Sequence, residues 1–181
     1  MGARDGADTD GDDGGARDGD GDGDSDGGEP VVVPERDPLL LDAMLGGLAS
    51  YLRMCGYDAA YALDRGVEDD EAVRRLAAAE GRRVLTRDRD LAAATPGALL
   101  LTERDVVDQL RELREAGVRL RLAEAPARCG ACNGPLEAVD PDADRPDYAP
   151  ETGTLWRCRD CGRRFWKGSH WEDVRETLAS L

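Results

Sequence analysis

The chain has one histidine, one lysine and no long apolar run among its 181 residues. With His170 the sole histidine, a Ser-His-Asp triad or a cluster of histidine ligands would have to be assembled around a single ring near the C-terminus, which sets those chemistries aside. Lys167 is the sole lysine and no glycine-rich loop precedes it, so a Walker-type phosphate loop is excluded. No stretch approaches the roughly 18 to 20 consecutive apolar residues of a membrane span, and the first residues lack the apolar region of a signal peptide. The expectation is a soluble cytoplasmic protein with no membrane partner.

Acidic side chains number 39 against 24 basic ones, a net charge of −15. Ten aspartates, one glutamate and two arginines put nine of those negative charges in residues 1–29 and leave six on the other 152 residues. Abundant aspartate with almost no lysine is the composition expected of a salt-loving, halophilic and archaeal chain, whose carboxylates keep it hydrated at high ionic strength. Residues 1–30 alternate Asp and Gly with almost nothing to bury, so a disordered acidic tail is expected. Irregular spacing and a missing apolar position argue against a calcium-binding repeat there.

From Val31 the pattern changes to short apolar runs alternating with amphipathic segments. Leu39-Leu40-Leu41 reads as a buried strand, and Met44 to Cys55 as a helix stopped by Gly56. Tyr57 to Ala62 is a second strand. Asp69 caps a helix carrying Val73, Leu76 and Ala77 and ending at Gly81. Arg83-Val84-Leu85-Thr86 is a third strand and Ala98 to Leu101 a fourth. Thr102 with Asp105 resembles a capping box for a helix through Leu113 to Gly117, and Val118 to Leu122 is a candidate fifth strand. Strands alternating with helices imply a parallel sheet with helices on both faces, whose ligand site lies outside the carboxyl ends of the strands.

The acids fall at that edge. Asp42 follows the first strand, Asp88 and Asp90 follow the third, and Asp69, Asp70 and Glu71 open a helix entering from the same side. Carboxylates converging without cationic partners repel one another, and a divalent ion relieves the repulsion; oxygen donors favour Mg²⁺ or Mn²⁺. The chemistry that follows is metal-assisted phosphodiester hydrolysis. Each acid also has a structural alternative: Asp69, Asp70 and Glu71 as favourable charges at a helix start, and Asp90 as the cap of a short helix from Leu91 to Ala94.

Cys129 and Cys132 form one CxxC pair, Cys158 and Cys161 another, with 25 residues between them. Two such knuckles present four thiolates tetrahedrally to Zn²⁺ at about 2.3 Å, which points to one structural zinc. An intracellular chain disfavours disulfides, and a duplicated pair disfavours a redox motif. Gly134 and Gly162 follow the knuckles as turn glycines. Cys55 is left over as a small buried apolar residue.

The blocks Leu41 to Ala49, Asp69 to Val73 and Leu85 to Leu91, with Arg128 to Gly134, Trp156 to Gly162 and Phe165 to Trp171, resemble the PIN-like ribonuclease domain named for the C-terminal part of the Mut-seven exonuclease. The resemblance spans about residues 38 to 178. It implies a PIN-like three-layer α/β fold with a central parallel sheet over residues 36–124, and a zinc ribbon with a C-terminal helix over 125–181. It further implies a Mg²⁺ or Mn²⁺ ribonuclease site with Asp42, Asp70, Asp88 and Asp90 in the metal-binding and catalytic places and Glu71 as an adjacent candidate. The acidic tail lies outside it, as does the stretch from Asp140 to Glu151, read as a loop within the ribbon.

Phe165, Trp166, Lys167, His170 and Trp171 crowd aromatics and the rare cations into seven residues. They suit base stacking and phosphate contact, with Lys167 and His170 the candidate RNA contacts. The alternative is a small ribbon core that docks on the sheet through Trp166 and Trp171, with Ser169 and Glu172 boxing the final helix. Two functions follow: a metal-dependent ribonuclease whose ribbon helps place RNA, or a non-catalytic RNA- or protein-binding module of the same fold. A phosphoacceptor domain is disfavoured by the absence of a strand-end lysine.

Overall fold

A computed structural model of the chain describes residues 31–140 and 145–181. The expected acidic tail and part of the stretch after Asp140 lie outside these residues. Four strands, β1 (Leu39–Leu41), β2 (Ala59–Tyr61), β3 (Arg83–Thr86) and β4 (Leu99–Leu100), form a wholly parallel sheet in the order β2-β1-β3-β4. The connecting helices are α1 (Gly46–Met54), α2 (Asp70–Glu80), α3 (Arg89–Ala94) and α4 (Val106–Glu115).

Side chains alternate across a strand, and here the alternation divides two cores. Leu39, Leu41 and Leu85 point to one face, where they meet Leu48 and Leu52 of α1 and Leu110 and Leu113 of α4. Leu40 and Val84 point to the other, against Val73 and Ala77 of α2 and Leu91 of α3. Because every member of the triple-leucine strand is fully buried, truncating any one of them costs about 2 to 5 kcal/mol. The result is three layers, helix on sheet on helix.

The strand order reverses direction at β1. The chain leaves β1 through α1 on one face and leaves β3 through α3 on the other, so a crevice opens at the carboxyl ends of these two neighbouring strands. The sequence Gly46-Gly47 makes the α1 side of that crevice possible. A Cβ on Gly46 would lie 3.0 Å from the Tyr61 ring, and one on Gly47 would lie 3.0 Å from Val106 at the start of α4.

The second unit is an antiparallel sheet of β5 (Leu136–Ala138), β6 (Trp156–Cys158) and β7 (Arg164–Phe165), in the order β5-β6-β7. The final helix, α5 (Ser169–Ala179), then returns to the first unit, where Val174 and Leu178 join the core of α1 and α4. No helix among the described residues is long and apolar enough to cross a membrane.

Three local expectations are corrected. Val118 to Leu122 is not a strand: only Val118 bridges, to Val32, while Leu120 and Leu122 pack on the core from irregular backbone. Asp105 alone caps α4, through the Val107 N–H, because Thr102 is held instead by Glu112 at the far end of that helix. Gly168, without a side-chain cap, precedes α5; Ser169 is already helical and Glu172 pairs with Arg175.

Candidate functional site

Asp42 begins where β1 ends. Its Oδ1 accepts the Ala43 N–H at 2.6 Å, which turns the chain into a short 3-10 segment, Ala43–Leu45, ahead of α1. Its Oδ2 accepts the Thr86 hydroxyl at 2.8 Å. Thr86 is fully buried at the end of β3, and its Oγ1 in turn accepts the Asp88 N–H at 2.9 Å. One hydroxyl therefore ties the two strand ends together. Sequence reading passed over Thr86; its signal was the strand-end position two residues before an acid.

Asp88, rather than Asp90, is the cap of the short helix. Its backbone is extended and its Oδ1 accepts the N–H groups of both Asp90 and Leu91, while Asp90 is already inside α3. Asp69 caps α2 as expected, accepting from Ala72, and this leaves Asp70 in the first turn. Partial desolvation first, then the charges of Asp88, Asp42, Asp69 and Asp90, hold the Asp70 carboxyl above its ordinary range. Glu71 turns away and pairs with Arg74 at 2.8 Å on the exposed face of α2.

None of Asp42, Asp70, Asp88 and Asp90 forms an ion pair with a described residue. The charges of the other three act on Asp70, and the one converged set of potential ligands among the described residues is the cysteine cluster rather than these acids. Unneutralised carboxylates repel, so an open spread is the arrangement that electrostatics favours without a counter-ion. The Nε of Arg87, whose charge acts on Glu112, is buried without an acceptor among the described residues. Tyr61 borders the same edge: burial, then Asp64 and Asp42, push its phenol up, and its hydroxyl donates to the Ala43 carbonyl at 2.6 Å.

The four cysteines do converge. Cys129 and Cys161 sulfurs are 3.7 Å apart and Cys132 and Cys158 sulfurs 3.5 Å, and all four lie within 4.8 Å of one another. A tetrahedron with Zn–S bonds of about 2.3 Å has edges of about 3.8 Å, whereas a disulfide is about 2.05 Å long. The thiols are free, and the cluster fits zinc. Burial pushes the Cys132 thiol up to about 12, while the Arg163 N–H draws that of Cys161 down to about 7. Metal binding must release these protons.

The two knuckles share one backbone pattern. Cys129 N–H donates to Gly134 O and Asn133 N–H to Cys129 O; Cys158 N–H donates to Arg163 O and Gly162 N–H to Cys158 O. The left-handed position is Gly162 (φ +74) in one knuckle and Asn133 (φ +66) in the other. The expected turn glycine Gly134 serves a different need, because a Cβ there would sit 2.5 Å from the Asp160 carboxylate and 2.8 Å from the Cys158 sulfur.

Asparagine tolerates the left-handed conformation, and its amide explains its use here. Asn133 Oδ1 accepts the Ala59 N–H of edge strand β2 at 2.9 Å, and its Nδ2 donates to Asp58 at 2.6 Å. Arg53, buried in α1, donates to Ala59 O and to Gly130 O, both at 2.9 Å. Arg82 and Arg128 both pair with Asp58, at 2.7 and 3.3 Å. These groups bolt the first knuckle to the sheet. Of the C-terminal cations, Lys167 is spent on the Glu124 carbonyl and lies 5.3 Å from the centre of the Trp171 ring, whereas His170 lines an open cleft. Trp171 is buried and Trp166 half-buried. Cys55 is buried, and desolvation pushes its thiol up to about 12, as suits a structural apolar residue.

A parallel α/β sheet with acids at its reversal point and a four-cysteine ribbon on its edge defines an α/β domain joined to a zinc ribbon. The family model of the Mut7-C RNAse domain matches residues 37–178, and the chain belongs to that family. Membership supports a ribonuclease, a hydrolase whose substrate is RNA. No match was found among curated proteins or among solved structures.

Proposed function

We propose that this chain is a Mg²⁺- or Mn²⁺-dependent ribonuclease that hydrolyses RNA phosphodiester bonds at Asp42, Asp70, Asp88 and Asp90, with one structural zinc in a ribbon that helps position the RNA. The observation that carries the reading is the Thr86 hydroxyl that joins Asp42 to the Asp88 amide at the carboxyl ends of β1 and β3, where partial desolvation and the charges of Asp88, Asp42, Asp69 and Asp90 hold the Asp70 carboxyl above its ordinary range. An all-oxygen donor set of this kind suits a hard divalent ion. Such an ion, when bound, supplies charge to the phosphate and lowers the pKa of a water.

The protein's own part is orientation. Thr86 and the Ala43 amide hold both oxygens of Asp42 at the end of β1. Asp88 commits Oδ1 to the start of α3 and keeps Oδ2 for the site. Asp70 faces this pair from α2, and the pairing of Glu71 with Arg74 supports Asp70 as the acid of that turn.

The competing reading, a binding module of the same fold, draws support from the capping roles of Asp69 and Asp88. One variant separates the two. Asparagine caps a helix about as well as aspartate, so Asp88→Asn is expected to leave the fold intact. Mn²⁺ should raise the melting temperature of the wild type, and Asp88→Asn should abolish both that shift and cleavage of labelled RNA. If Asp88→Asn and Asp42→Asn both cut RNA at the wild-type rate, the ribonuclease site is elsewhere and the binding module takes its place.

A further inference from the structure

In the larger sheet β1 lies between β2 and β3, and Leu41, the residue before Asp42, is in register with Tyr61 of β2 on one side and Leu85 of β3 on the other. Asp42 is supported from both flanks. From the β3 side the Thr86 hydroxyl donates to its Oδ2 at 2.8 Å. From the β2 side the Tyr61 hydroxyl donates at 2.6 Å to the carbonyl of Ala43, whose own N–H donates at 2.6 Å to Asp42 Oδ1. Ala43 is thereby held at both ends, its N–H by the acid and its carbonyl by the phenol. The segment has little else to fix it. Three residues of 3-10 helix make few bonds of their own, and of their side chains Leu45 is buried while Met44 is 51% exposed.

Gly46 admits the phenol to this position. Its backbone is right-handed helical, at φ −57 and ψ −37, so glycine is not needed there for conformational freedom. A side chain would instead displace Tyr61, since a Cβ would stand 3.0 Å from both the Cζ and the hydroxyl oxygen of its ring. Two separate features of the chain, a glycine at the start of α1 and a tyrosine at the end of β2, thus serve one contact beside Asp42.

We infer that Tyr61 is a positioning residue for Asp42, fixing through the Ala43 peptide the direction in which the acid presents its carboxylate. The inference rests on the ribonuclease reading for what that acid does, and it adds a support on the flank opposite Thr86. The Tyr61 ring also packs on the core of α1 and α4, and phenylalanine keeps that packing, so the hydroxyl alone separates positioning from packing.

The test compares the full zinc-loaded chain with its Tyr61→Phe and Gly46→Ala variants. Mn²⁺ binding is followed by the electron paramagnetic resonance of the free ion, and cleavage of labelled RNA is measured over a range of RNA concentrations. Tyr61→Phe should lower kcat and weaken Mn²⁺ binding about tenfold each, the effect of losing a support behind a metal ligand, while KM for RNA and zinc content stay unchanged. Gly46→Ala, which pushes the hydroxyl aside without removing it, should do the same. The double variant should fall no further than the weaker of the two single ones, because both changes remove one contact. A packing role would move the melting temperature and leave kcat and Mn²⁺ affinity at wild-type values; that result in Tyr61→Phe overturns the inference, as does full additivity in the double variant. If Tyr61→Phe fails to fold, Gly46→Ala decides by the same readouts, and loss of the fold in both assigns the phenol to the fold and overturns the inference. A wild type that binds Mn²⁺ without cutting RNA removes the ribonuclease reading and leaves Tyr61 to be decided by Mn²⁺ affinity. One that neither binds nor cuts removes both, whereas an active wild type beside an unaffected Tyr61→Phe removes the role of Tyr61 alone.

Discussion

The cysteine cluster and the aspartate edge are both sets of four potential ligands, yet one is closed and the other open. Two sulfur pairs stand 3.5 and 3.7 Å apart and all four sulfurs lie within 4.8 Å, held by two matching backbone loops whose amides reach the thiols of Cys129, Cys132 and Cys161. The carboxylates come from the end of β1, the first turn of α2 and the start of α3, and none of them forms an ion pair with a described residue. The difference teaches what each set can do. A closed tetrahedral site contributes to folding, while chemistry requires a site that keeps room for water and substrate.

The largest effect should come from opening the closed site. Cys158→Ser is expected to reduce zinc to well under half an equivalent and to unfold the ribbon, since zinc binding at such sites carries on the order of 10 kcal/mol of folding free energy. Elemental analysis and near-ultraviolet circular dichroism check it; full zinc retention would break the comparison at its strongest point.

Next in size is Thr86→Val, which removes the hydroxyl that orients Asp42 and receives the Asp88 amide. If Asp42 holds the proposed ion, losing a partner of this kind should cost about 10- to 100-fold in activity or metal affinity. RNA cleavage should fall by that factor while zinc content stays unchanged. Equal activity would mean that the open site does not depend on its supports.

The bolt between the two regions is a smaller term with a pH signature. Burial alone pushes Asp58 up, but hydrogen bonds from Arg82 and Asn133 and the charges of Arg82 and Arg128 outweigh it and hold the carboxyl below 3.8. Its stabilisation is therefore complete above pH 3.8 and is lost as pH falls through its lowered value in the folded protein. Asp58→Asn should cost about 1 to 3 kcal/mol at pH 7 and flatten the acid limb of the melting curve below pH 4. Glu71→Gln should be the smallest change, within about 0.5 kcal/mol and without effect on cleavage, because it breaks only an exposed pair.

What was legible in the sequence was local. Leu39-Leu40-Leu41 ending in Asp42, Asp69 capping α2 and the paired CxxC motifs could each be read from a few adjacent residues, and each stands where expected. Val118 to Leu122 misled because alternating apolar residues pack on a core equally well without a strand partner. Thr102 misled because Glu112, ten residues away, competed for its hydroxyl. The junction between sheet and ribbon was invisible for the same physical reason: Arg53 reaches Gly130 and Asn133 reaches Asp58 across more than seventy residues of chain. No periodicity or capping rule connects positions so far apart.

The use of Asn133 in place of a glycine reaches beyond geometry. Strand β2 is the outer strand of its sheet, and an outer strand with vacant N–H and C=O groups is a template for joining other chains. Here side chains occupy that template, Asn133 taking the amide of Ala59 and Arg53 its carbonyl. Asn133 reaches the strand from within the first knuckle, which a metal held by the four cysteines would fix in place. A zinc ion bound there would thus guard the molecule against self-association as well as shape the ribbon. Removing it with a strong chelator should convert monodisperse protein into oligomers that light scattering detects, and returning zinc before they form should prevent them.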